Sequence, residues 1–193
     1  MSQNEWNATE IGASKVGNVS PFTPQARETA ERPVKAVRDA TFRSSFVVFP
    51  EQRNVHGKLF GGFVMEQAYT LAAYAVRFFA RGGAVVPLGI DDAVFNAPVN
   101  IGDCVSFCAR VVHKTAETCR VNVSVEIRDP AAPHLPPKKS NRAVFVFAAR
   151  SPALLVPETY SEVLMHIDAA RSSAAEGPDD AWAAALNAAS ETS

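Results

Sequence analysis

From Gly61 to Ala80 the chain has the length and pattern of a helix, and between Leu71 and Ala80 only Tyr74 and Arg77 interrupt the apolar residues. A helix apolar on nearly every side must be wrapped by other structure. Arg81-Gly82-Gly83 ends it, and the wrapping follows. Thr118 to Arg128 alternates Cys119, Val121, Val123, Val125 and Ile127 with polar residues, which predicts a strand with one buried and one wet face. Val85 to Phe95 and Cys104 to His113 are β-rich runs separated by Pro98 and Gly102, and Ala143 to Ala149 is apolar on both faces after a proline-rich loop over residues 129–140. Ahead of the helix, Phe46 to Phe49 is a short strand that Pro50 stops by withholding a ladder donor. This order predicts an α+β fold in which an antiparallel sheet curls around one long central helix.

A chain of 193 residues, 47% hydrophobic, has material for one sizeable core. Residues 34–171 are the expected single domain, closed by an amphipathic helix over Val156 to Ala170 that Thr159 or Ser161 can cap. Residues 1–33 read as an irregular arm and residues 172–193 as a flexible tail. A net charge of −1 argues against nucleic acid as a partner. No apolar run approaches the ~18 residues of a membrane span, so no membrane insertion is expected. Cys104, Cys108 and Cys119 lack metal-like or paired spacing and read as free thiols, and no metal site is expected from the four histidines.

The densest signal for chemistry is the polar turn Pro50-Glu51-Gln52-Arg53-Asn54-Val55-His56-Gly57-Lys58-Leu59-Phe60-Gly61-Gly62, which leads directly into the buried helix. First-turn N–H groups are unpaired and carry partial positive charge. Two glycines let a ligand approach that backbone, so Gly61 and Gly62 suit an oxyanion hole, although a plain tight turn also explains them.

Lys35 to Met65, with this turn at its centre, resembles the second domain of mitochondrial double-hotdog acyl-coenzyme A thioesterases. The resemblance continues at Gly89-Ile90-Asp91-Asp92-Ala93-Val94-Phe95, at Pro98-Val99 and Gly102, and at Val156 to Glu162, and so covers roughly Lys35 to Arg171. It implies a hotdog fold that works as a homodimer, or as a hexamer built as a trimer of dimers. It also implies acyl-CoA as substrate, no cofactor beyond the coenzyme A of that substrate, and an intracellular location, mitochondrial by the resemblance or else cytoplasmic, with no legible transit peptide. The implied sites lie at the subunit boundary, each using the Asn turn of one subunit and a carboxylate of the other. Asn54 is then the first catalytic candidate, as the group that orients water or the thioester carbonyl, and Gly62 N–H supports the oxyanion.

A general base is also needed, because water is a poor nucleophile unless a proton leaves as it attacks. Asp91 or Asp92 are the first candidates, with Glu66 behind them. Neighbours on a strand point to opposite faces, so only one aspartate is expected in the cleft. Arg53, Lys58, Lys138, Lys139 and Arg142 are candidate contacts for the phosphates of coenzyme A, alongside Gly61 at the helix start. Two departures stand out. Gln52 occupies a place where the wider family commonly has Asp, and Thr70 stands for a helix Glu. They motivate an alternative, a non-catalytic acyl-CoA-binding or regulatory module. An enoyl-CoA hydratase is a weaker alternative, because the Asn54 turn supplies His56 but no Asp beside it.

Overall fold

The computed structural model describes residues 34–81, 83–151, 153–176 and 188. The expected arm over residues 1–33 and most of the expected tail therefore lie outside the described residues. The elements are β1 (Val34–Ala36), β2 (Thr41–Val47), α1 (Gly61–Phe79), β3 (Val85–Phe95), β4 (Cys104–Lys114), β5 (Thr118–Arg128), β6 (Lys138–Ala149), β7 (Leu154–Val156) and α2 (Tyr160–Glu176).

Strands β2-β4-β5-β6-β3, in that order, form a five-stranded antiparallel sheet, and β1 and β7 form a short parallel pair. The meander β4-β5-β6 follows from short connections. β3 does not pair with its successor β4. The chain instead crosses through Pro98, Val99 and Gly102, which takes φ +90°, and leaves β3 at the far edge beside β6. α1 lies on one sheet face and touches all five strands. Its Val64, Ala68, Ala72, Ala75, Val76 and Phe79 are buried against the inward Val105, Phe107, Val121, Val123, Phe145 and Phe147. Three alanines in that stripe bring the helix backbone close to the sheet.

Three expectations are corrected. The helix is not wrapped on every side, for Tyr74 and Phe78 remain 57% and 54% exposed within this chain. β2 begins five residues before the expected Phe46, because an edge strand tolerates the exposed Arg43, Ser44 and Ser45 once its backbone pairs with β4. β6 begins at Lys138, so Lys138 and Lys139 sit in a strand rather than in the preceding loop.

α2 starts one turn later than expected and runs into the region expected to be a tail. Thr159 caps it as expected. Its Oγ1 accepts the Glu162 N–H at 3.2 Å, while Glu162 Oε2 accepts the N–H groups of Glu158 at 2.9 Å and Thr159 at 3.0 Å. Burial alone would raise the Glu162 carboxyl, but those bonds and the nearby Arg110 hold it below the usual range. Further along, His166 Nδ1 meets the Val112 carbonyl at 2.8 Å, and its ring lies 5.0 Å from that of His113. Burial, His166 and Arg120 together push the His113 imidazole down. Cys104 and Cys108 alternate with the inward residues of β4, whereas Cys119 faces the core. All three are free thiols, with Cys119 pushed up to about 12 by burial. No described helix is long and apolar enough to cross a membrane.

Truncating Phe79, fully buried under the sheet, should lower unfolding free energy by about 3–5 kcal/mol in denaturant melts. Leu135→Ala, on the exposed loop, should stay within about 0.5 kcal/mol; the reverse order would misplace the helix. Docking of α2 should also weaken with acid. Below the ordinary imidazole range the unfolded chain binds a proton that folded His113 resists, so stability falls as pH drops; the Glu162 contribution is then lost as pH falls through its depressed value. Protection factors of α2 amides, which correct exchange for its intrinsic pH dependence, should fall between pH 7 and 5 in wild type and much less in His113→Gln.

Candidate active site

The turn that feeds α1 is built by its own polar side chains. Gln52 Oε1 accepts the Phe49 N–H at 3.0 Å, and the Gln52 carbonyl accepts the Phe60 N–H at 2.9 Å. The residue standing where a family Asp is common is thus a bracket that sets the helix entry. Asn54 Oδ1 accepts the N–H groups of His56 at 2.9 Å and Lys58 at 3.1 Å, and its own N–H donates to the Lys58 carbonyl at 2.6 Å. Gly57 closes this loop at φ +70°, a conformation in which a side chain would be strained. Oδ1 of the half-buried Asn54 is engaged twice, whereas its amide N–H groups meet no acceptor among the described residues. Asn54 can therefore donate a hydrogen bond but cannot serve as a base. Lys58 Nζ donates to Asn100 Oδ1 at 2.6 Å, which ties the loop to the turn after β3.

Helix α1 begins without a side-chain cap at Phe60 and without an acidic residue in its first turn. The Phe60 carbonyl takes the N–H groups of Phe63 and Val64 at 3.1 and 3.3 Å. Those of Gly61 and Gly62 meet no acceptor among the described residues. A Cβ on Gly62 would come within 2.4 Å of the Phe60 ring, so a larger residue would displace that ring; Gly61 has only an ordinary contact with Phe95 at 3.9 Å.

Beside this helix start lies a cavity of about 460 Å³, lined by Gly62, Met65, Glu66 and Tyr69 of α1, Pro87 to Ile90 of β3, and Phe145 of β6. Tyr69 stacks on Phe147 at 5.9 Å and meets Phe145 edge-on at 6.1 Å, forming an aromatic wall. Glu66 is the one carboxylate in this otherwise apolar lining. Thr70, in place of a helix Glu, turns its hydroxyl back onto the Glu66 carbonyl at 2.8 Å.

The expectation that one of two adjacent aspartates enters the cleft is not met. The β3–β6 register shifts between Ile90 and Asp92, and such a bulge breaks strict alternation. Asp91 Oδ2 meets Arg120 Nη1 at 2.6 Å and Asp92 Oδ2 meets Arg142 Nη2 at 2.5 Å. Both arginines sit at strand positions that alternate with the inward core residues, so both aspartates serve the sheet face away from α1. Neither lines the cavity. The same face holds a second, polar hollow of about 970 Å³, to which Lys139 and Arg142 contribute with Arg43, Arg110 and Arg128. Of the expected phosphate contacts, Arg53 and Lys58 stay with the Asn54 turn, whereas Lys139 and Arg142 lie across the sheet from Gly62. Gly62 and Glu66 are brought together. Asn54 does not line its own chain's cavity. Arg120 went unnoticed in sequence because it occupies a wet-face position of an alternating strand; only its 1% exposure sets it apart. No cluster of three or more potential metal ligands occurs among the described residues.

Residues 56–133 match the family model of the Thioesterase superfamily. Mitochondrial acyl-coenzyme A thioesterase 10 of Mus musculus is 29% identical over 143 residues, 72% of this chain and 32% of that protein. The acyl-CoA thioester hydrolase YciA of Salmonella typhimurium is 28% identical over 107 residues, 55% of this chain and 80% of that protein. A solved hexameric acyl-CoA thioesterase superposes with a TM-score of 0.68 at 21% identity, over 73% of this chain and 93% of that one. The chain thus spans about a third of the length of the mouse relative and most of the length of the bacterial one. Five antiparallel strands packed on one long helix that opens at Gly61-Gly62 thus give this chain the hotdog fold of that solved structure, and residues 56–133 carry its similarity to the Thioesterase superfamily.

Proposed function

We propose that this chain hydrolyses fatty acyl-CoA thioesters to free acid and coenzyme A. One observation carries the reading: unpaired N–H groups at the start of α1 open onto an apolar cavity whose single carboxylate, Glu66, lies one helical turn further on. An acyl chain fits the apolar lining, and its carbonyl oxygen lies against Gly62 N–H. Glu66 takes a proton from water as the water oxygen attacks the carbonyl carbon. The developing oxyanion is held by the backbone N–H and the positive end of the helix dipole. The C–S bond then breaks and coenzyme A leaves as the thiolate, which is reprotonated. The mouse and bacterial relatives named for this activity support the substrate class. The mitochondrial location of the mouse protein supports the same compartment here.

The site is proposed to be completed by a second copy. Among the described residues, edge strand β3 has β6 as its only strand neighbour in the sheet, and the exposed Phe60, Tyr69, Ile90 and Phe95 crowd the cavity's surroundings. Pairing two such edges places the Asn54 amide of one subunit to serve the other's cavity, where it orients the carbonyl or the water. Hexamers, as trimers of dimers, are the larger assembly proposed, in keeping with the hexameric structural relative. The competing reading, a module that binds acyl-CoA without hydrolysing it, draws on Gln52 and Thr70, both spent in local hydrogen bonds.

Thiol release from acyl-CoAs, followed with dithionitrobenzoate, should fall about 10²–10⁴-fold in Glu66→Gln. Asn54→Asp keeps the loop's acceptor and removes the donor, and should cost at least about tenfold, or ~1.4 kcal/mol, in kcat/KM. Full activity in Glu66→Gln would remove it as base; saturable binding without turnover in wild type would favour the non-catalytic module. In sedimentation the wild type should run as a dimer or larger assembly, and Ile90→Lys should shift it toward monomer with loss of turnover. A stable wild-type monomer at micromolar concentration would end the shared-site arrangement.

A further inference from the structure

The wall of the cavity opposite α1 is the most irregular stretch of strand in the sheet. On β3, Pro87 pairs with Phe147, Gly89 with Val146, Ile90 with Phe145 and Asp92 with Val144, so Leu88 and Asp91 have no opposite number on β6. Two extra residues within five, one Pro without an N–H and one Gly, leave this edge segment weakly fixed by its ladder. Yet Pro87 to Ile90 form that wall. Something other than backbone pairing must set its shape.

Two ion pairs hold this segment on the far side of the sheet. Arg120, 1% exposed, reaches from β5 beyond β6 to Asp91 at 2.6 Å, and Arg142 on β6 holds Asp92 at 2.5 Å. Removing a partner carboxylate from a guanidinium withdrawn from water leaves a buried charge uncompensated, which is costly, so Arg120 resists any slippage of the strand that would carry Asp91 away. A one-residue slip would also swap the faces of Leu88, Ile90 and the two aspartates. We infer that Asp91 and Asp92, clamped by Arg120 and Arg142, are positioning residues that lock the doubly bulged segment of β3 from behind and so set which acyl chains the cavity accepts. The specificity part of this inference rests on the acyl-CoA reading; the clamp itself does not. The clamp also gives the two aspartates a role that needs neither of them in the cleft.

The test compares the wild type, Asp91→Asn, Asp92→Asn, the conservative Asp91→Glu, and Val111→Ala, a core change away from β3 that serves as a stability control. The first readout is hydrogen exchange of the Val85–Phe95 segment. Exchange should accelerate at least tenfold in Asp91→Asn and recover in Asp91→Glu, while Val111→Ala leaves it no faster than its global destabilisation requires. The second is calorimetric affinity for a series of non-hydrolysable S-alkyl-CoA thioethers from four to sixteen carbons. The ratio of long- to short-chain affinity should change at least fivefold in Asp91→Asn and stay fixed in Val111→Ala. Unchanged exchange in both aspartate variants overturns the clamp. Faster exchange with an unchanged chain-length ratio, or the same ratio change in Val111→Ala, overturns the specificity role. If no thioether binds the wild type, the acyl-CoA reading and the specificity role fall together, and exchange alone still decides the clamp. If Asp91→Asn does not fold, the milder Asp92→Asn carries both readouts.

Discussion

Burial of the alanine-rich stripe of α1 against β4, β5 and β6 is the contact from which the rest of the geometry follows. Ala68, Ala72 and Ala75 let the helix settle close to Val121, Val123, Phe145 and Phe147, and the apolar area removed from water there is worth about 25 cal/mol per Å². Because the helix cannot slide without opening that contact, its first residue is fixed against the β3 edge. The position of Gly61-Gly62, and hence of the cavity, is thus a by-product of core packing. The side of α1 carrying Tyr74 and Phe78 contributes little to this, and its exposure leaves apolar surface for further association.

The start of α1 departs from what helix stability alone would select. A Ser, Thr, Asp or Asn at the cap is worth about 1 kcal/mol, and an acidic first turn adds favourable interaction with the dipole. Phe60 supplies neither, and the nearest acidic residue on the helix is Glu66. Polar capacity is not lacking nearby. Gln52 and Asn54 each spend a side-chain oxygen on loop N–H groups a few residues away rather than on those of Gly61 and Gly62. Local rules broken at one point, in a segment where they are otherwise obeyed, mark places where function outweighs stability.

Much of the fold is legible in the chain because periodicity announces it. α1, β3 and β5 match their expected bounds within a residue, since each is a long, largely apolar, β-rich or alternating run with a clear stop such as Arg81 or Asp129. β2 and the front of β6 were hidden because edge positions accept Arg43, Ser44, Lys138 and Lys139, whose polarity reads as loop. The site was legible to the extent that it is local. The Asn54 turn and the Gly-Gly helix start are contiguous in sequence, and Glu66 follows one turn later. The aspartates were misread because alternation was assumed, and a bulge is set by the register between two strands about fifty residues apart, which no local window contains. Arg120 was invisible for the same reason: its burial depends on partners from other strands.

Two kinds of carboxylate therefore coexist within a few residues of the cavity, and their surroundings separate them. Asp91 and Asp92 each commit a carboxylate oxygen to a guanidinium at hydrogen-bond distance on the far face of the sheet. A base that must accept a proton from water during attack is poorly served by such a partner. Glu66 has no cation beside it among the described residues lining its cavity, which are otherwise Gly, Met, Tyr, Pro, Leu, Ile and Phe. The separation follows from where β6 and β5 carry their arginines: on the face turned away from α1 they hold the aspartates, whereas Glu66 stays on the cavity side.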